Sequence, residues 1–241
     1  MVLDFNSRCV RSDRFVELID KALEERASEK RGYLGASAIG QACLRRLQYG
    51  YAGVTPDPGN DISGRTKRIF HRGHIGEDWM AEWIRAAGFD LKTHDKNGKQ
   101  FGFSDCDDRF KGHIDGVVVG GPSGFEYPAL WENKVLGSKG FNQLKRHGLN
   151  KAYPVYAAQV ATYQAYMKLA DNPAFFTALC ADTMEIELFL VPFNQELGQE
   201  GADKAAMVLS AHDHGETLPR AAESEDAFVC KFCPFKGTCW A

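Results

Sequence analysis

The sequence predicts an α/β domain, a central mixed sheet flanked by helices. Three observations carry that expectation. Before Gly88, and again from Ser138 to Leu169, apolar residues recur at helical spacing. Between these stretches they alternate as strands do, over Lys99–Phe103, Phe110–Val119 and Ala129–Val135. The last two runs are separated by Gly120-Gly121-Pro122-Ser123-Gly124, a strong turn signal.

Taken in order, Asp13 to Arg31 reads as an amphipathic helix, with Phe15, Leu18, Ile19 and Leu23 on one stripe. Leu34 to Tyr51 reads as a short helix around Cys43, ended by Gly50 and Gly53. Val54 to Asp61 is a loop by its Pro, Gly and Asp content. Ser63 caps a long helix that stops at Gly88. After the first strands and the helical stretch from Ser138, Phe175–Ala181 and Met184–Val191 predict a second strand pair. A helix over Gln195–His212 and an irregular cysteine-bearing tail follow.

Composition narrows the class. A chain of 241 residues with 44% hydrophobic and 25% charged content is an ordinary globular protein, which excludes disorder and collagen-like scaffolds. No apolar run approaches the roughly 18 residues that a membrane span needs, and Met1 to Arg14 lack the apolar core of a secretory signal. The expectation is a cytoplasmic protein. A net charge of −3 offers no global basic footprint, so contact with nucleic acid has to rest on a local patch. Seven cysteines without an export signal direct attention to metal or cluster ligation rather than disulfides.

Glu132 and Lys134 lie two apart on a strand and therefore share a face, while Trp131, Asn133 and Val135 take the other. Asp115, in the preceding strand, comes beside Glu132 if the two strands pair across the glycine turn. Adjacent carboxylates repel unless a cation lies between them, and oxygen ligands suit Mg²⁺ or Mn²⁺. An exposed Glu–Lys pair with a surface aspartate is the plainer alternative. Glu77 falls in the apolar stripe of the long helix, with Phe70 and Ile84 seven residues to either side and Met80 beside it, where a carboxylate needs a partner. His74, one turn earlier, is a second possible ligand.

Gln159 and Tyr163 share a helix face, with Tyr156 one turn before and Ala157, Ala161 and Ala165 opposite. From Asn133 to Ala170 there is no Asp or Glu, yet Lys134, Lys139, Lys145, Arg146, Lys151 and Lys168 are present. Arg65, Lys67, Arg68 and Arg72 precede Glu77, and Arg45 and Arg46 follow Cys43. Basic segments around an acidic site read as a phosphate track, or as a solvated basic face.

The tail carries Cys230, Cys233 and Cys239, spaced as ligands of zinc or an iron–sulfur centre, with one position open for Cys43. All-thiolate ligation suits a 4Fe–4S cluster or Zn²⁺. Cys9, Cys106 and Cys180 fit no such spacing.

In combination these residues resemble the RecB-like branch of the PD-(D/E)xK nucleases. The nearest match is the iron–sulfur exonucleases of the CRISPR-associated Cas-four type and their phage relatives. The resemblance runs from Leu34 to Cys239: Asp115 matches the motif aspartate, Glu132-Asn133-Lys134 the ExK motif, and Gln159 with Tyr163 the QxxxY motif. Cys43, with an arginine two residues on, and Cys230, Cys233 and Cys239 match the four cluster ligands. Where RecB-like nucleases usually place a histidine four residues after a glycine, Glu77 follows Gly73, as in the phage recombination exonucleases. Glu77 is therefore the first choice of third ligand and His74 the second.

The resemblance implies a restriction-endonuclease-like core over 63–219, with 1–62 and 220–241 forming a cluster subdomain of a single nuclease domain. It implies hydrolysis of DNA phosphodiester bonds, often at single-stranded ends, in CRISPR adaptation or phage recombination and repair. Mg²⁺ or Mn²⁺ would be held by Glu77, Asp115 and Glu132. Lys134 would act beside the attacking water, Gln159 and Tyr163 on the strand, and the cluster would be structural. A non-catalytic iron–sulfur DNA-binding module serving an integrase or helicase is the competing reading.

Overall fold

The computed structural model describes residues 12–26 and 31–241. Cys9 lies outside the described residues. The chain order begins with helix α1 (Asp13–Glu24), the short strand β1 (Leu34–Gly35), a 3₁₀ turn at Ala36–Ala38, α2 (Leu44–Tyr51) and the long α3 (Gly64–Ala86). Strands β2 (Asp90–Lys92), β3 (Gly102–Asp105), β4 (Phe110–His113), β5 (Gly116–Gly120) and β6 (Ala129–Leu136) follow. Helices α4 (Ser138–Ala152) and α5 (Pro154–Tyr166), strands β7 (Ala174–Cys180) and β8 (Ile186–Val191), and α6 (Gln195–Asp213) complete the core. Two short helices, α7 (Phe228–Lys231) and α8 (Lys236–Trp240), end the chain.

The strands form two sheets. Five of them run in the order β2-β5-β6-β7-β8, with β6 and β7 parallel and the other neighbours antiparallel. A smaller sheet has the order β1-β4-β3. One face of the large sheet packs Met80 and Ala81 of α3 against Trp131, Phe175 and Leu179. The other face packs Leu130, Phe176 and Ala178 against Leu144, Val160 and Tyr163 of α4 and α5, with Val208 of α6 behind. Period-two alternation along β6 thus feeds two separate cores.

Several expected boundaries shift, each for a physical reason. Phe110–Val119, read as one strand, is two: β4 pairs with β1 and β3, β5 pairs with β2 and β6, and Ile114 and Asp115 sit at the change of sheet. The Lys99–Phe103 strand is displaced to Gly102–Asp105, with only an isolated bridge from Gln100 to His94 before it. The helical run from Ser138 breaks at Tyr153, because Pro154 has no N–H to donate and starts α5 instead; Gly148, at φ 70°, kinks α4 before that. Leu34–Tyr51 contains a strand, a 3₁₀ turn and α2, with Cys43 at the position preceding the first turn of α2 rather than within a helix.

Ser63 caps α3 as expected, its hydroxyl accepting from Thr66 N–H at 3.2 Å, and Gly88 follows the helix at φ 92°. Helix α1 ends at Glu24, short of Arg31. Its C-terminal carbonyls, on Leu23, Glu24 and Arg26, accept from the Lys67 ammonium of α3. Phe15, Leu18 and Ile19 of its apolar stripe are exposed.

The two ends of the chain meet through hydrogen bonds. The Asp57 carboxylate accepts from the backbone and hydroxyl of Thr238, and Asp57 N–H donates to Pro234 O at 2.8 Å. The Gln48 amide exchanges bonds with Glu216 O and Leu218 N–H, and Arg45 Nε donates to Leu218 O at 2.7 Å. No helix among the described residues is long and apolar enough to cross a membrane.

Candidate active site

Glu132 lies in the middle of β6 with only 1% of its surface exposed. Its Oε1 accepts from the Lys134 ammonium two residues along the same face and from Gln159 Nε2 of α5 at 2.7 Å. Its Oε2 is buried with no hydrogen-bond partner among the described residues. A buried carboxylate oxygen left bare carries a large desolvation cost, and such an atom calls for a ligand.

Asp115 faces it from the junction of the two sheets. The β5–β6 register pairs Gly116 with Trp131, so Asp115 falls level with Glu132. Asp115 Oδ2 accepts the Asn133 N–H at 2.7 Å, a backbone donor that β5 does not satisfy because the chain leaves the sheet at Asp115. Glu77 approaches from α3. That helix comes close because Gly76 packs directly on Val135 and Leu179; a Cβ there would meet Val135 Cγ2 at 2.5 Å.

Electrostatics show how strongly the three carboxylates interact. Burial, then the Asp115 charge, push Glu132 up to about 8. Burial, then Asp115, push Glu77 up to about 7. Asp115 is raised by burial against the pull of Lys134. For Lys134, burial is outweighed by the Glu132 and Asp115 carboxylates, which hold its ammonium above the ordinary lysine range. Its Nζ also lies 5.2 Å from the ring centroid of Tyr156, a cation–π contact.

All seven residues nominated for the acidic site line one cavity of about 510 Å³: His74, Glu77, Asp115, Glu132, Lys134, Gln159 and Tyr163. His74 is exposed at the rim and its charge lowers the Asp115 pKa, whereas Glu77 interacts with both Asp115 and Lys134. As the side chains stand, no group of three or more His, Cys, Asp or Glu among the described residues closes around a point that could take a metal ion. Glu132 Oε1 is occupied by Lys134 and Gln159, and Asp115 Oδ2 by the β6 backbone. The bare Glu132 Oε2, flanked by two further carboxylates, has the donor chemistry for a hard divalent cation.

Gln159 and Tyr163 are 4% and 2% exposed. The Gln159 amide is directed to Glu132, and Tyr163 packs beside Phe103 with rings 6.3 Å apart. Their immediate contacts are thus with the carboxylate and the small sheet. On the opposite side of α5, Ala157 and Ala161 are buried as the pattern suggested, while Ala165 is exposed. Phe70, assigned to the same stripe as Glu77, is 54% exposed.

The expected phosphate track is mostly elsewhere. Of the basic residues between 133 and 170, only Lys134 lines the cavity. Lys145 is paired with Glu187 of β8 at 2.7 Å, and Arg68 with Asp20. Lys67 holds the end of α1. Besides Lys134 and His74, the cationic and imidazole groups that line the cavity are Arg31, Arg85, His94, Lys111 and His113. Lys111 and His113 alternate with Asp115 at period two, the one signal in the sequence that points to them.

The four nominated cysteines, Cys43, Cys230, Cys233 and Cys239, line one small cavity with Arg45, Arg46 and Arg220. All four are free and partly buried. Arg45 donates to the Cys239 sulfur at 3.9 Å, and Cys43 and Cys239 both act on the Cys233 thiol, which burial raises. The four thiols line this space without closing around a point that could take a metal ion; what fits a thiolate-ligated centre is their donor type. Cys106 and Cys180 lie elsewhere: Cys106 in the β3–β4 turn at φ 53° and Cys180 at the end of β7.

No protein-family model matches the chain, and no curated protein matches it in sequence. Solved structures do match in fold. An alkaline exonuclease from Laribacter hongkongensis aligns over 77% of this chain and 90% of its own length, at 15% identity and a TM-score of 0.53. The same exonuclease in complex with dAMP aligns over 76% and 89%, at 16% identity and a TM-score of 0.50. The chain thus has a mixed α/β fold similar to that of an exonuclease.

Proposed function

We propose that the chain is a metal-dependent DNA exonuclease of the PD-(D/E)xK type that hydrolyses phosphodiester bonds at single-stranded ends. The observation that carries the reading is the Glu132 carboxylate, buried in β6 with one oxygen unpartnered and Asp115, Glu77 and Lys134 converging on it. A surface Glu–Lys pair has no reason to be buried in this way.

Glu77, Asp115 and Glu132 would hold Mg²⁺ or Mn²⁺, with His74 as the alternative ligand to Glu77. Bound there, such an ion supplies charge stabilisation to the phosphoryl group and makes a coordinated water more acidic. The Lys134 ammonium stays charged throughout the working pH range and faces the same space, where it stabilises developing negative charge. Gln159 fixes the orientation of Glu132, the kind of supporting bond on which ligand geometry depends. The fold shared with an exonuclease that is known in complex with dAMP supports a nucleotide as the bound unit.

In the same reading, Cys43, Cys230, Cys233 and Cys239 hold a structural 4Fe–4S cluster, with zinc as the alternative occupant. This would tie the tail to the start of α2, where hydrogen bonds already join them. The assignment to CRISPR adaptation or phage recombination, with an integrase or helicase as partner, rests on the ordered motifs alone.

The competing reading, a DNA-binding module without activity, draws its support from the carboxylates not being closed around one point. Degradation of end-labelled single-stranded DNA in Mg²⁺ or Mn²⁺ separates the two. Wild type is expected to shorten the DNA and Lys134→Ala to leave it intact. Binding without degradation by both proteins establishes the module.

A further inference from the structure

Beside the cavity around Glu132 lies a second one of about 590 Å³. Arg31, Tyr33, Gly35 and Ser37 line both. Their chemistry differs. The first is walled by carboxylates, imidazoles and cations, the second largely by Leu47, Tyr51, Val54, Pro56, Ile62 and Phe235. Tyr33 stands between them. The Lys111 ammonium lies 5.7 Å from its ring centroid, and the His113 ring meets it edge-on at 6.5 Å.

This placement is a product of the small sheet. Leu34 N–H donates to Arg109 O at 2.8 Å, and the parallel pairing of Leu34 with Phe110 sets the preceding residue beside β4. Tyr33 belongs to neither core cluster and is partly exposed, so the fold does not need its ring for packing. Its recorded ring contacts are two side chains that also face the first cavity.

A polar chamber beside an apolar groove, with an aromatic ring between them, matches the make-up of a nucleotide strand, in which charged phosphates alternate with bases that have apolar faces. Aromatic rings seat bases by stacking whatever their identity. Cavities of this size suit small ligands rather than a duplex. We propose that Tyr33 is a base-stacking positioning residue. When a phosphate lies against Glu132 and Lys134, the base of an adjacent nucleotide stacks on Tyr33. Lys111 meets the sugar–phosphate link, and the single strand continues along the apolar groove toward Phe235. The inference rests on the nuclease reading and specifies how its substrate is held.

The test is a coupling measurement on binding, made with full-length Lys134→Ala protein so that the DNA stays intact. Short end-labelled single strands, each with one abasic position, are titrated with this protein and with the same protein also carrying Tyr33→Ala or Tyr33→Phe. With Tyr33 present, removal of the base at one or two positions near the end is expected to weaken binding about tenfold. Tyr33→Ala is expected to weaken the intact strand about as much and to be insensitive to the abasic site, while Tyr33→Phe keeps the full pattern. Penalties that simply multiply in Tyr33→Ala overturn the stacking role but leave the nuclease reading in place. No binding of single strands by any of the proteins overturns both.

Discussion

Gln159 Nε2 lies 2.7 Å from Glu132 Oε1, while Oε2 of the same carboxylate has no hydrogen-bond partner among the described residues. One oxygen is anchored by a neighbouring helix and the other is left for a ligand. Twenty-seven residues separate the two positions in the chain, and the contact exists only because α5 packs across β6.

In the proposed function, that relationship gives Gln159 a positioning role. Gln159→Ala is expected to reduce DNA hydrolysis by about 10–100-fold and to raise the Mn²⁺ concentration needed for half-maximal rate. Rates measured across a Mn²⁺ titration check this. An unchanged metal requirement would separate Gln159 from the site.

The raised carboxylates give stability a direction with pH. Free in an unfolded chain, Glu titrates near about 4.3, whereas burial and then Asp115 push Glu132 up to about 8 in the fold. Between these values the folded chain holds a proton that the unfolded chain has lost, so stability falls as pH rises. The slope contributed by Glu132 is at most about 1.4 kcal/mol per pH unit. Thermal melts of metal-free protein are expected to drop from pH 5.5 to 8, and Glu132→Gln to flatten the trend. Mg²⁺ or Mn²⁺, which favours ionised carboxylates, is expected to stabilise more at pH 8 than at pH 5.5.

The cysteine cavity predicts a coloured protein. Anaerobically purified wild type is expected to be brown, with broad visible absorbance and about four irons per chain. Cys233→Ser is expected to lose the iron and melt at lower temperature, since the tail then keeps to α2 by hydrogen bonds such as those from Arg45 and Gln48 and by the Tyr49–Phe235 ring contact, without the cluster. Colourless protein with stoichiometric zinc would assign the cavity to zinc and leave the proposed nuclease reading unaffected.

Gly112 lets the small sheet approach α5. A Cβ at this position would meet Phe103 Cε1 at 2.5 Å and Tyr163 Cε1 at 2.6 Å. Gly112→Ala is expected to cost about 1–3 kcal/mol in a denaturant titration, because two packed rings have to move. Activity is expected to fall as well, through displacement of β4 and its Lys111 and His113.

How much of this was legible depends on the range of each interaction. The shared face of Glu132 and Lys134 follows from strand periodicity, and the Ser63 cap and the Gly88 stop follow from helix ends; both signals are local. The strand break at Asp115 was not legible. Alternation runs unbroken from Phe110 to Val119, and only the choice of partners, β1 and β3 on one side and β2 and β6 on the other, divides it. The basic stretch after Asn133 misled for the same reason: Lys145 finds its counter-charge in Glu187, on a strand more than forty residues away.

The sequence by itself determined the inventory: one α/β chain, an acidic set with a lysine at strand spacing, an amide on a helix face and three cysteines at ligand spacing with Cys43 as a candidate fourth. It did so because helix and strand periods assign each side chain a face from its near neighbours alone. Tertiary structure decided which faces meet. It buried Glu132, which with the neighbouring Asp115 charge raised its pKa, turned Gln159 onto it and set Tyr33 between two cavities. Burial and charge coupling are properties of atoms brought together from distant parts of the chain, and no local pattern encodes them.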